Sequence, residues 1–466
     1  MISELHLKNF RSIHSASINL TPLTIIIGAN GSGKSNLVKA IEFIAAIPAV
    51  GLSLALSRQG GRDGVMPKQI PLRDLSKHQV YIGYTKRLPP PGEPNKHISY
   101  VNVSHSFSFS FKSASNVAVG DERLKFNKVL YIGETLRHKN LAPDIDEASI
   151  AHPSKHSYFE LSHTSRQDSY STEPAISEDT FNNFRTWLGL DRFSTIIKDA
   201  KSLNKFLESS QRLNKSDRTH AATSGPKTSR GLYTERNTKT ICDFSAEFKM
   251  FLDFLEETKR YDLLLNELRR EQAPSESPDL SKAGQNLPAA LRKLANTNKP
   301  AFSRLKSTFE AIAPHILSMR STQLRTGSEF VEFSESKSGR GIESWETSDG
   351  SLRALAILVA VETAQNGDTI VVEEPEQNLH PWAIRALIDH IRDVISLNSI
   401  QVIITTHSEH VLERATPEEV LVASRTLEEG TTYRRVTELV KKGSVSMGEV
   451  GRLWVKGLLG GVPTVQ

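Results

Sequence analysis

A glycine-rich segment near the amino terminus has the residue types and spacing that phosphate binding requires. The pattern Gly-x-x-x-x-Gly-Lys-Ser occupies residues 28–35, directly after the apolar run at 23–27 and before a helical pattern. In such a loop the glycines turn backbone N–H groups toward phosphate oxygens, Lys34 supplies a positive charge, and the hydroxyl group of Ser35 ligates Mg²⁺. The sequence therefore predicts a nucleotide site formed by Gly28, Asn30, Gly31, Ser32, Gly33, Lys34, Ser35 and Asn36.

A second group of candidate residues lies far along the chain, in Thr369-Ile-Val-Val-Glu-Glu-Pro-Glu376. Two carboxylates follow a short apolar run, and the carboxyl end of a buried strand opens where the phosphate loop of a neighbouring strand also opens. One carboxylate then orients the magnesium shell while the next polarises the attacking water. We predict that Glu373 serves Mg²⁺ and that Glu374 is catalytic, with a solvated acidic turn as the alternative.

Two further motifs follow the same logic. The apolar run Ile403-Ile-Thr-Thr ends in His407, and although a lone histidine after a strand is more often structural, its place after the acidic strand favours a catalytic role. Ser348 and Gly350 precede a helix that is apolar almost all round. Unpaired N–H groups and the helix dipole favour an anion at such a terminus, although an ordinary helix cap has the same residues.

A phosphate loop alone does not distinguish a kinase, a GTPase and an ATPase. The guanine-binding pattern Asn-Lys-x-Asp does occur, at residues 214–217. It follows an amphipathic helical pattern instead of a buried strand, however, and the chain contains no Asp-x-x-Gly. We therefore interpret this match as chance, and the acidic strand favours an ATPase.

Length and composition indicate a globular protein of more than one unit. The chain has 466 residues, 38% of them hydrophobic and 24% charged, and its length exceeds what one core usually serves. It has no apolar run of the ~20 residues that cross a bilayer, and its amino terminus lacks the layout of a secretory signal. Its single cysteine, Cys242, agrees with a reducing compartment, so we expect a cytoplasmic protein without a membrane partner.

Strand and helix patterns alternate at both ends of the chain. Strands are predicted at 4–7, 16–20 and 23–27, a helix begins at Ser35, and a mostly antiparallel sheet is predicted from 80 to 132. Residues 136–180 have the composition of a long loop. The remaining predictions are helices at 180–213, 244–270, 287–316, 351–365 and 381–395, and strands at 369–372 and 401–405. The alternation in the last third implies a parallel sheet covered by helices.

Five segments together resemble the ABC-type ATPase heads of the SMC/RecF/OLD group: LKNFRSI, GANGSGKSNLVKAIEFI, SDGSLRALAIL, VVEEPEQNLHP and IITTHSEHVL. More narrowly, the chain is similar to the stand-alone AAA-type ATPases of bacterial anti-phage defence operons, such as the Septu and retron-associated ATPase subunits. The resemblance covers about the first 60 residues and roughly residues 280–466. It implies an α/β fold, an ABC-type P-loop ATPase head with a parallel core sheet and an antiparallel β subdomain, split by a mostly helical insertion.

The resemblance also implies domains, cofactors and roles. Residues 1–150 and 301–466 would form the two halves of the head, and residues 151–300 a helical insertion or lid. In that family two heads face each other, with ATP and Mg²⁺ between the phosphate loop of one and the signature of the other. Carried over, Ser348 and Gly350 cap the γ-phosphate in the partner's site, Glu374 activates water, His407 senses the γ-phosphate, and Arg11 lies close to the nucleotide.

One position departs from the family pattern, and another is assigned outside the motifs quoted above. The residue before the catalytic glutamate is usually aspartate, whereas this chain has Glu373, one methylene longer, which leaves the magnesium geometry and the turnover rate open. We assign the glutamine loop to Gln69. His152, His156 and His163 match no strong zinc pattern and are interpreted as part of an ordinary polar loop.

The middle of the chain carries a basic tract between Lys198 and Lys239, with ten Lys/Arg residues against four Asp/Glu. We predict that it contacts a nucleic acid backbone, although a solvated, flexible surface explains the charge equally well. The aromatic residues there are Phe206 and Tyr233, too few for sequence-specific reading. The candidate contacts are Lys201, Lys205, Arg212, Lys215, Arg218, Lys227, Arg230 and Arg236.

The functional expectation is an ATP-dependent switch. ATP joins two heads, hydrolysis at a slow rate parts them, and the motion gates a partner effector, a nuclease encoded nearby, in anti-phage defence. Because 59 residues follow His407 and contain no Asp-x-Asp, we expect no nuclease within this chain. The alternatives are a DNA-repair or chromosome-maintenance ATPase that itself binds DNA, and a nucleotide-binding scaffold in which Glu373 compromises turnover.

Overall fold

The computed structural model describes residues 1–68, 70, 74, 77–88, 98–113, 116–130, 158–164, 167–173, 258–274, 279–335, 341–440, 445–446 and 448–460. The chain forms two compact units. Residues 1–20 and 39–257 belong to the first, here called the antiparallel unit, and residues 21–38 and 258–466 to the second, the parallel unit.

The strands, in chain order, are β1 (Ile2–Phe10), β2 (Ile13–Asn19), β3 (Leu23–Ile27), β4 (Val80–Leu88), β5 (Ile98–Ser113), β6 (Asn116–Leu130), β7 (Tyr158–Thr164), β8 (Gln167–Glu173), β9 (Thr258–Tyr261), β10 (Ser318–Gln323), β11 (Glu329–Ser334), β12 (Ile342–Glu343), β13 (Thr369–Glu373), β14 (Gln401–Thr406), β15 (Val420–Thr426) and β16 (Gly430–Arg435). The helices in the described ranges are α1 (Lys34–Arg58), α2 (Gly61–Val65), α3 (Leu265–Arg269), α4 (Leu287–Thr297), α5 (Lys299–Ile312), α6 (Asp349–Glu362), α7 (Pro381–Asn398), α8 (Glu409–Leu412), α9 (Val436–Leu439) and α10 (Glu449–Val455).

The antiparallel unit contains a sheet with the strand order β8-β7-β6-β5-β4-β1-β2, in which each of these strands runs antiparallel to its neighbours. Phe107, Phe109 and Phe111 alternate along β5 and are fully buried, as the period of two predicts. Phe43 of α1 packs between Phe10 and Phe109, with ring centroids 6.0 and 6.1 Å away. These aromatic contacts fix the helix on one face of the sheet.

The parallel unit contains the strand order β16-β15-β3-β14-β13-β9. All of these neighbours are parallel except β15 and β16. Because β14 lies between β3 and β13, the three strands end at the same edge: Thr406 pairs with Ile27 and Thr405 pairs with Glu373. The glycine-rich loop, the acidic pair and His407 therefore leave the sheet side by side.

Helix α6 lies in the core of the parallel unit. Every residue from Gly350 to Glu362 is buried, which explains why the helix is apolar almost all round. Its neighbours α4, α5 and α7 pack against it, and they bring apolar side chains such as Leu291, Leu305 and Leu387 into the same cluster. A separate antiparallel sheet with the order β10-β11-β12 completes the unit.

A polar network connects three of these helices inside the core. Glu362 of α6 has a fully buried side chain and accepts hydrogen bonds from Nε and Nη2 of Arg304 on α5, at 3.2 and 2.7 Å. His390 Nε2 of α7 lies 3.2 Å from the same carboxylate, and its Nδ1 lies 2.8 Å from Thr308 Oγ1. The network compensates a charge that would otherwise be costly at this depth.

The predicted fold class is confirmed as an α/β head with a parallel core sheet and an antiparallel β region. The strand and helix predictions around residues 23–35, 80–130 and 351–405 agree with the observed elements. The three-part division at residues 150 and 300 stays a prediction, as does the helical character of the insertion, because all of 174–257 lies outside the described ranges.

Three secondary-structure predictions were wrong in part. The loop expected at 136–180 contains β7 and β8, whose serine, histidine and tyrosine residues do not give an apolar alternation. The helix expected at 244–270 includes β9, which pairs with β13. The helix expected at 287–316 is divided at Asn298, whose side chain caps α5 by accepting from Ala301 N at 3.2 Å.

Several predicted positions lie outside the described residues: Gln69, Cys242, residues 214–217, and the whole basic tract from Lys198 to Lys239. Predictions about them stay predictions. Of the three histidines interpreted as a polar loop, His152 and His156 are also outside, and His163 lies in β7. Among the helices that are described, none is both long enough and apolar enough to cross a bilayer.

Candidate functional site

The glycine-rich loop requires its glycines for conformational and steric reasons. Gly31 and Gly33 have φ angles of 77° and 108°, which L side chains rarely adopt. A Cβ atom on Gly33 would lie 2.4 Å from Thr431 Oγ1, and one on Gly28 would lie 2.4 Å from the carbonyl oxygen of Ala423. The loop is therefore shaped by close approach to β15 and β16.

Two side chains of β16 hold this loop in place. The hydroxyl group of Thr431 donates to the carbonyl oxygen of Ser32 at 3.1 Å, and that of Tyr433 donates to the carbonyl oxygen of Gly33 at 2.8 Å. Sequence analysis missed both residues because nothing in a short polar strand shows which distant loop it contacts. These two hydrogen bonds restrain the loop backbone and so preorganise it.

Lys34 opens α1 and is turned back onto the loop. Its Nζ donates to the carbonyl oxygens of Gly28 and Ala29 at 2.8 and 3.1 Å. Burial lowers the pKa of Lys34 to about 8, against the opposing effect of the nearby Glu374 and Glu376 carboxylates. Among the described residues, the hydrogen-bond partners of this cation are neutral carbonyl groups, so a phosphate group would be a better partner.

The remaining loop residues differ in their accessibility. Asn30, Gly31 and Ser35 are exposed, whereas Ser32 is buried and its Oγ has no hydrogen-bond partner among the described residues. The N–H group of Asn36 donates to the carbonyl oxygen of Gly33 at 2.9 Å, which begins the first turn of α1. The Ser35 hydroxyl group is thus accessible to a ligand at the start of the helix.

Glu374 follows β13 in an unusual backbone conformation, with φ at 46°. Its N–H donates to the carbonyl oxygen of Thr405 at 2.8 Å, which ties it to β14. Its Oε2 accepts a hydrogen bond from Gln377, and its Oε1 lies 3.7 Å from Nε2 of His407. The structure therefore places the two predicted catalytic side chains next to each other.

His407 occupies the corresponding position after β14. Burial lowers its pKa, the positive charge of Lys34 lowers it further, and the carboxylates of Glu374 and Glu376 act in the opposite direction. Lys34, Glu374 and His407 thus lie close enough to influence one another electrostatically, and their roles at a nucleotide stay predictions. The neutral imidazole that this environment favours is suited to hydrogen bonding with a phosphate oxygen.

Glu373, predicted to serve Mg²⁺, has a different partner. Arg260 of β9 donates to its Oε1 through both Nε, at 2.9 Å, and Nη2, and the two side chains are mostly buried. Sequence analysis missed Arg260 because β9 had been predicted as helix. The carboxylate that was assigned to the metal is therefore engaged in an ion pair at the neighbouring strand.

Arg353 is a further residue that the sequence did not single out. It lies in the buried helix α6, and its Nη2 donates to the carbonyl oxygens of Glu373 and Glu374 at 3.0 and 3.3 Å. Its Nη1 donates to the carbonyl oxygen of Leu263 at 3.2 Å. Desolvation lowers its pKa, partly offset by nearby carboxylates. A cationic side chain inside a helix that is apolar almost all round was the signal that could have identified it.

The Ser348–Gly350 segment caps α6. Ser348 Oγ accepts from Ser351 N at 3.2 Å, and a Cβ atom on Gly350 would lie 2.1 Å from the carbonyl oxygen of Asn378. Asp349 forms an ion pair with Arg269 of α3. The segment is thus packed directly against the turn that follows the acidic strand.

Arg11, predicted to lie close to the nucleotide, belongs to the antiparallel unit. Its backbone has φ at 53°, its N–H donates to the carbonyl oxygen of Val65 at 2.7 Å, and its Nη2 donates to Gln59 Oε1 at 3.2 Å. Desolvation lowers its pKa, against the effect of Glu42. Its role at the nucleotide stays a prediction.

Comparison with known proteins gives one family match and several structural likenesses. The profile of the family described as "AAA ATPase domain" matches residues 1–412, which include the phosphate loop, the acidic strand and His407. No relative was found among curated proteins.

Three solved structures are similar to the chain over nearly its whole length. The Smc head bound to the C-winged helix domain of ScpA is 12% identical with a TM-score of 0.45, covering 94% of this chain and 99% of that one. The SMC head domain from Thermotoga maritima is 11% identical with a TM-score of 0.38, covering 93% and 98%. The Pyrococcus furiosus Smc head with an extended coiled coil is 13% identical with a TM-score of 0.38, covering 98% of each.

Proposed function

The chain belongs to the AAA ATPase domain family, and from that premise we propose that it binds ATP with Mg²⁺ and hydrolyses ATP at the site in the parallel unit. The observation that carries the proposal is the convergence of Lys34, Glu374 and His407 at the ends of three neighbouring strands. Each group has the chemistry that phosphoryl transfer to water requires.

The residues divide the work between binding and catalysis. The N–H groups of the loop and Lys34 hold the phosphate groups, and transfer of Lys34 from carbonyl oxygens to phosphate favours binding. Glu374 accepts a proton from the attacking water, and Arg353 and Thr405 fix its backbone. His407 donates a hydrogen bond to the γ-phosphate, so that the site responds to the presence of the γ-phosphate.

The residues present fit a magnesium ion. The exposed hydroxyl group of Ser35 is a hard oxygen ligand at the start of α1, and Oε2 of Glu376 is a buried carboxylate oxygen without a hydrogen-bond partner among the described residues. When bound, magnesium neutralises charge on the phosphate oxygens. Glu373 is held by Arg260 through its Oε1, so its charge is already compensated at the neighbouring strand.

We infer that two copies act together. The terminus at Ser348 and Gly350 is supported as a γ-phosphate site for a second copy by its place at the amino end of α6, where the helix dipole favours an anion, and by the family resemblance. ATP binding would then join two heads and hydrolysis would part them. The contact between Gly350 and Asn378 offers a route by which the acidic strand in one copy influences the nucleotide of the other.

For the biological role we propose a cytoplasmic switch that gates a separate effector, a nuclease, during anti-phage defence. The resemblance to defence ATPases supports it, together with the expectation that this chain has no nuclease residues. The second candidate is an ATPase of DNA repair or chromosome maintenance, favoured by the charge excess between Lys198 and Lys239.

ATPase assays on the purified protein test both levels of the proposal. We expect slow, Mg²⁺-dependent hydrolysis that Glu374→Gln strongly slows, and no cleavage of DNA by the protein alone. Equal ATP hydrolysis rates for the wild type and Glu374→Gln would contradict catalysis by this site. They would favour the alternative of a nucleotide-binding scaffold. Strong stimulation by DNA would favour the repair candidate, and copurification of a nuclease from the native operon would favour the defence switch.

A further inference from the structure

Glu376 is a carboxylate to which the sequence motifs assign no role. It lies between the turn after β13 and the end of β14. Its Oε1 accepts hydrogen bonds from the Thr406 hydroxyl group at 2.7 Å and from the His407 N–H at 3.1 Å. Thr406 Oγ1 in turn accepts from the N–H of Ser408 at 2.9 Å. Glu376 therefore links the turn after β13 to the end of β14 and sets the position of the His407 backbone.

The second oxygen of this carboxylate is the informative one. Oε2 of Glu376 is buried and has no hydrogen-bond partner among the described residues. A buried, charged oxygen without a partner is costly, so such an atom in a native site indicates a group that the protein itself does not supply. A cation or a cation-bound water is the partner that a carboxylate oxygen favours.

The charges around Glu376 place it within the nucleotide site. Its negative charge acts on Lys34, on Arg353 and on His407, which contribute to phosphate binding, to positioning of the catalytic backbone and to γ-phosphate contact. Glu373, by contrast, is bound by two donors of Arg260 at the adjacent strand. Both Arg260 donors contact Oε1 of Glu373, whereas Glu376 is the one of the two carboxylates with a buried oxygen that has no hydrogen-bond partner among the described residues.

We propose, resting on the proposed ATP site, that Glu376 is the carboxylate that holds the magnesium shell: its Oε1 fixes His407 and its Oε2 binds a metal-coordinated water. The charge that the family places before the catalytic glutamate is then supplied three positions further along. Glu373 serves instead to anchor β13 to β9. This assignment explains how a chain with Glu373 in place of aspartate keeps a magnesium-dependent site.

The test compares two isosteric changes, Glu376→Gln and Glu373→Gln. A fluorescent ATP analogue is titrated into each protein in Mg²⁺ and in EDTA, and the ratio of the two dissociation constants measures the magnesium contribution independently of turnover. Glutamine at 376 still accepts from Thr406 and from the His407 N–H, so nucleotide affinity in EDTA should stay within about twofold of the wild type. The magnesium contribution should fall ~10–100-fold, as for the loss of an outer-shell metal partner.

Two further variants separate this role from a structural one. Glu373→Gln should keep most of the magnesium contribution, and Thr406→Val, which removes one donor to Oε1 without changing the charge, should keep it as well. Mn²⁺ binding to the protein–ADP complex, followed by electron paramagnetic resonance, should weaken in Glu376→Gln and not in Thr406→Val. If glutamine at 376 prevents folding, Glu376→Asp is measured in the same way and should show a smaller loss in the same direction.

Three results would overturn the inference. The first is a wild-type magnesium contribution in Glu376→Gln together with its loss in Glu373→Gln. The second is an equal loss of affinity in Mg²⁺ and in EDTA, which would make Glu376 purely structural. The third is a wild-type protein that binds no nucleotide, which would refute the proposed ATP site and this inference with it.

Discussion

Nε2 of His407 lies 3.7 Å from Oε1 of Glu374, although the two residues follow different strands. The distance is longer than a hydrogen bond, so the pair is adjacent without being bonded. We predict that Glu374→Gln lowers the ATP hydrolysis rate by about 10²–10⁴-fold, the contribution typical of a general base, while ATP still binds. Single-turnover hydrolysis and equilibrium ATP binding measure the two effects separately.

A double variant tests whether the pair acts as a unit. His407→Ala should also slow hydrolysis, and the combination with Glu374→Gln should be little worse than Glu374→Gln alone, because effects within a catalytic unit are not additive. Fully multiplicative losses would show that the two residues act independently.

Lys34 should determine how ATP changes thermal stability. A ligand that binds only the folded state at about 100 times its dissociation constant stabilises it by about 2.7 kcal/mol. We expect ATP to raise the Tm of the wild type and not that of Lys34→Ala, as measured by differential scanning calorimetry. The control variant is Lys39→Ala. Lys39 lies on the same helix and pairs with Glu42, so this variant also loses a cation but should respond to ATP as the wild type does.

Gly33 and Gly31 form a matched pair for the loop. Both have positive φ, so alanine at either costs about 1–2 kcal/mol of conformational strain. A Cβ atom at 33 would also lie 2.4 Å from Thr431 Oγ1, whereas at 31 it meets nothing within 4 Å. We therefore predict a larger loss of unfolding free energy and of ATP affinity for Gly33→Ala, measured by urea unfolding and by titration. Equal effects would contradict the contact with β16.

The network around Glu362 should be asymmetric. Arg304→Met leaves a fully buried carboxylate with His390 as its remaining charged neighbour, and we expect it to lower the free energy of unfolding by about 3–5 kcal/mol. Glu362→Leu leaves Arg304 partly exposed to water and should cost less. The double variant Arg304→Met/Glu362→Leu should be more stable than Arg304→Met alone, and a urea double-mutant cycle measures the coupling.

The residues that meet in the site could be predicted because each follows a buried parallel strand. Short buried strands with three or four apolar residues come before the glycine loop, before Glu373 and before His407, and the geometry of parallel sheets places such strand ends together. The sequence therefore contained the position of Lys34, Glu374 and His407 along one edge.

The supporting contacts could not be predicted because they depend on strand order. Tyr433 and Thr431 reach the loop only since β16 lies beside β15, and Arg260 reaches Glu373 only since β9 lies beside β13. Arg353 inserts between backbone carbonyl groups that come from two other elements. No local pattern specifies such partners, and for β9 the helical pattern around it gave the wrong element.

The place of β3 in the sheet also has a consequence for biosynthesis. Both of its neighbours, β14 and β15, are translated hundreds of residues later, so at roughly 5–20 residues per second the strand waits for tens of seconds after it leaves the ribosome. Throughout that interval the five side chains of β3, which are buried in the folded protein, lack the strands that cover them. Because the segment is rich in isoleucine, it readily pairs with other nascent chains. Production of this protein in a foreign host should therefore depend on chaperone supply and on translation speed.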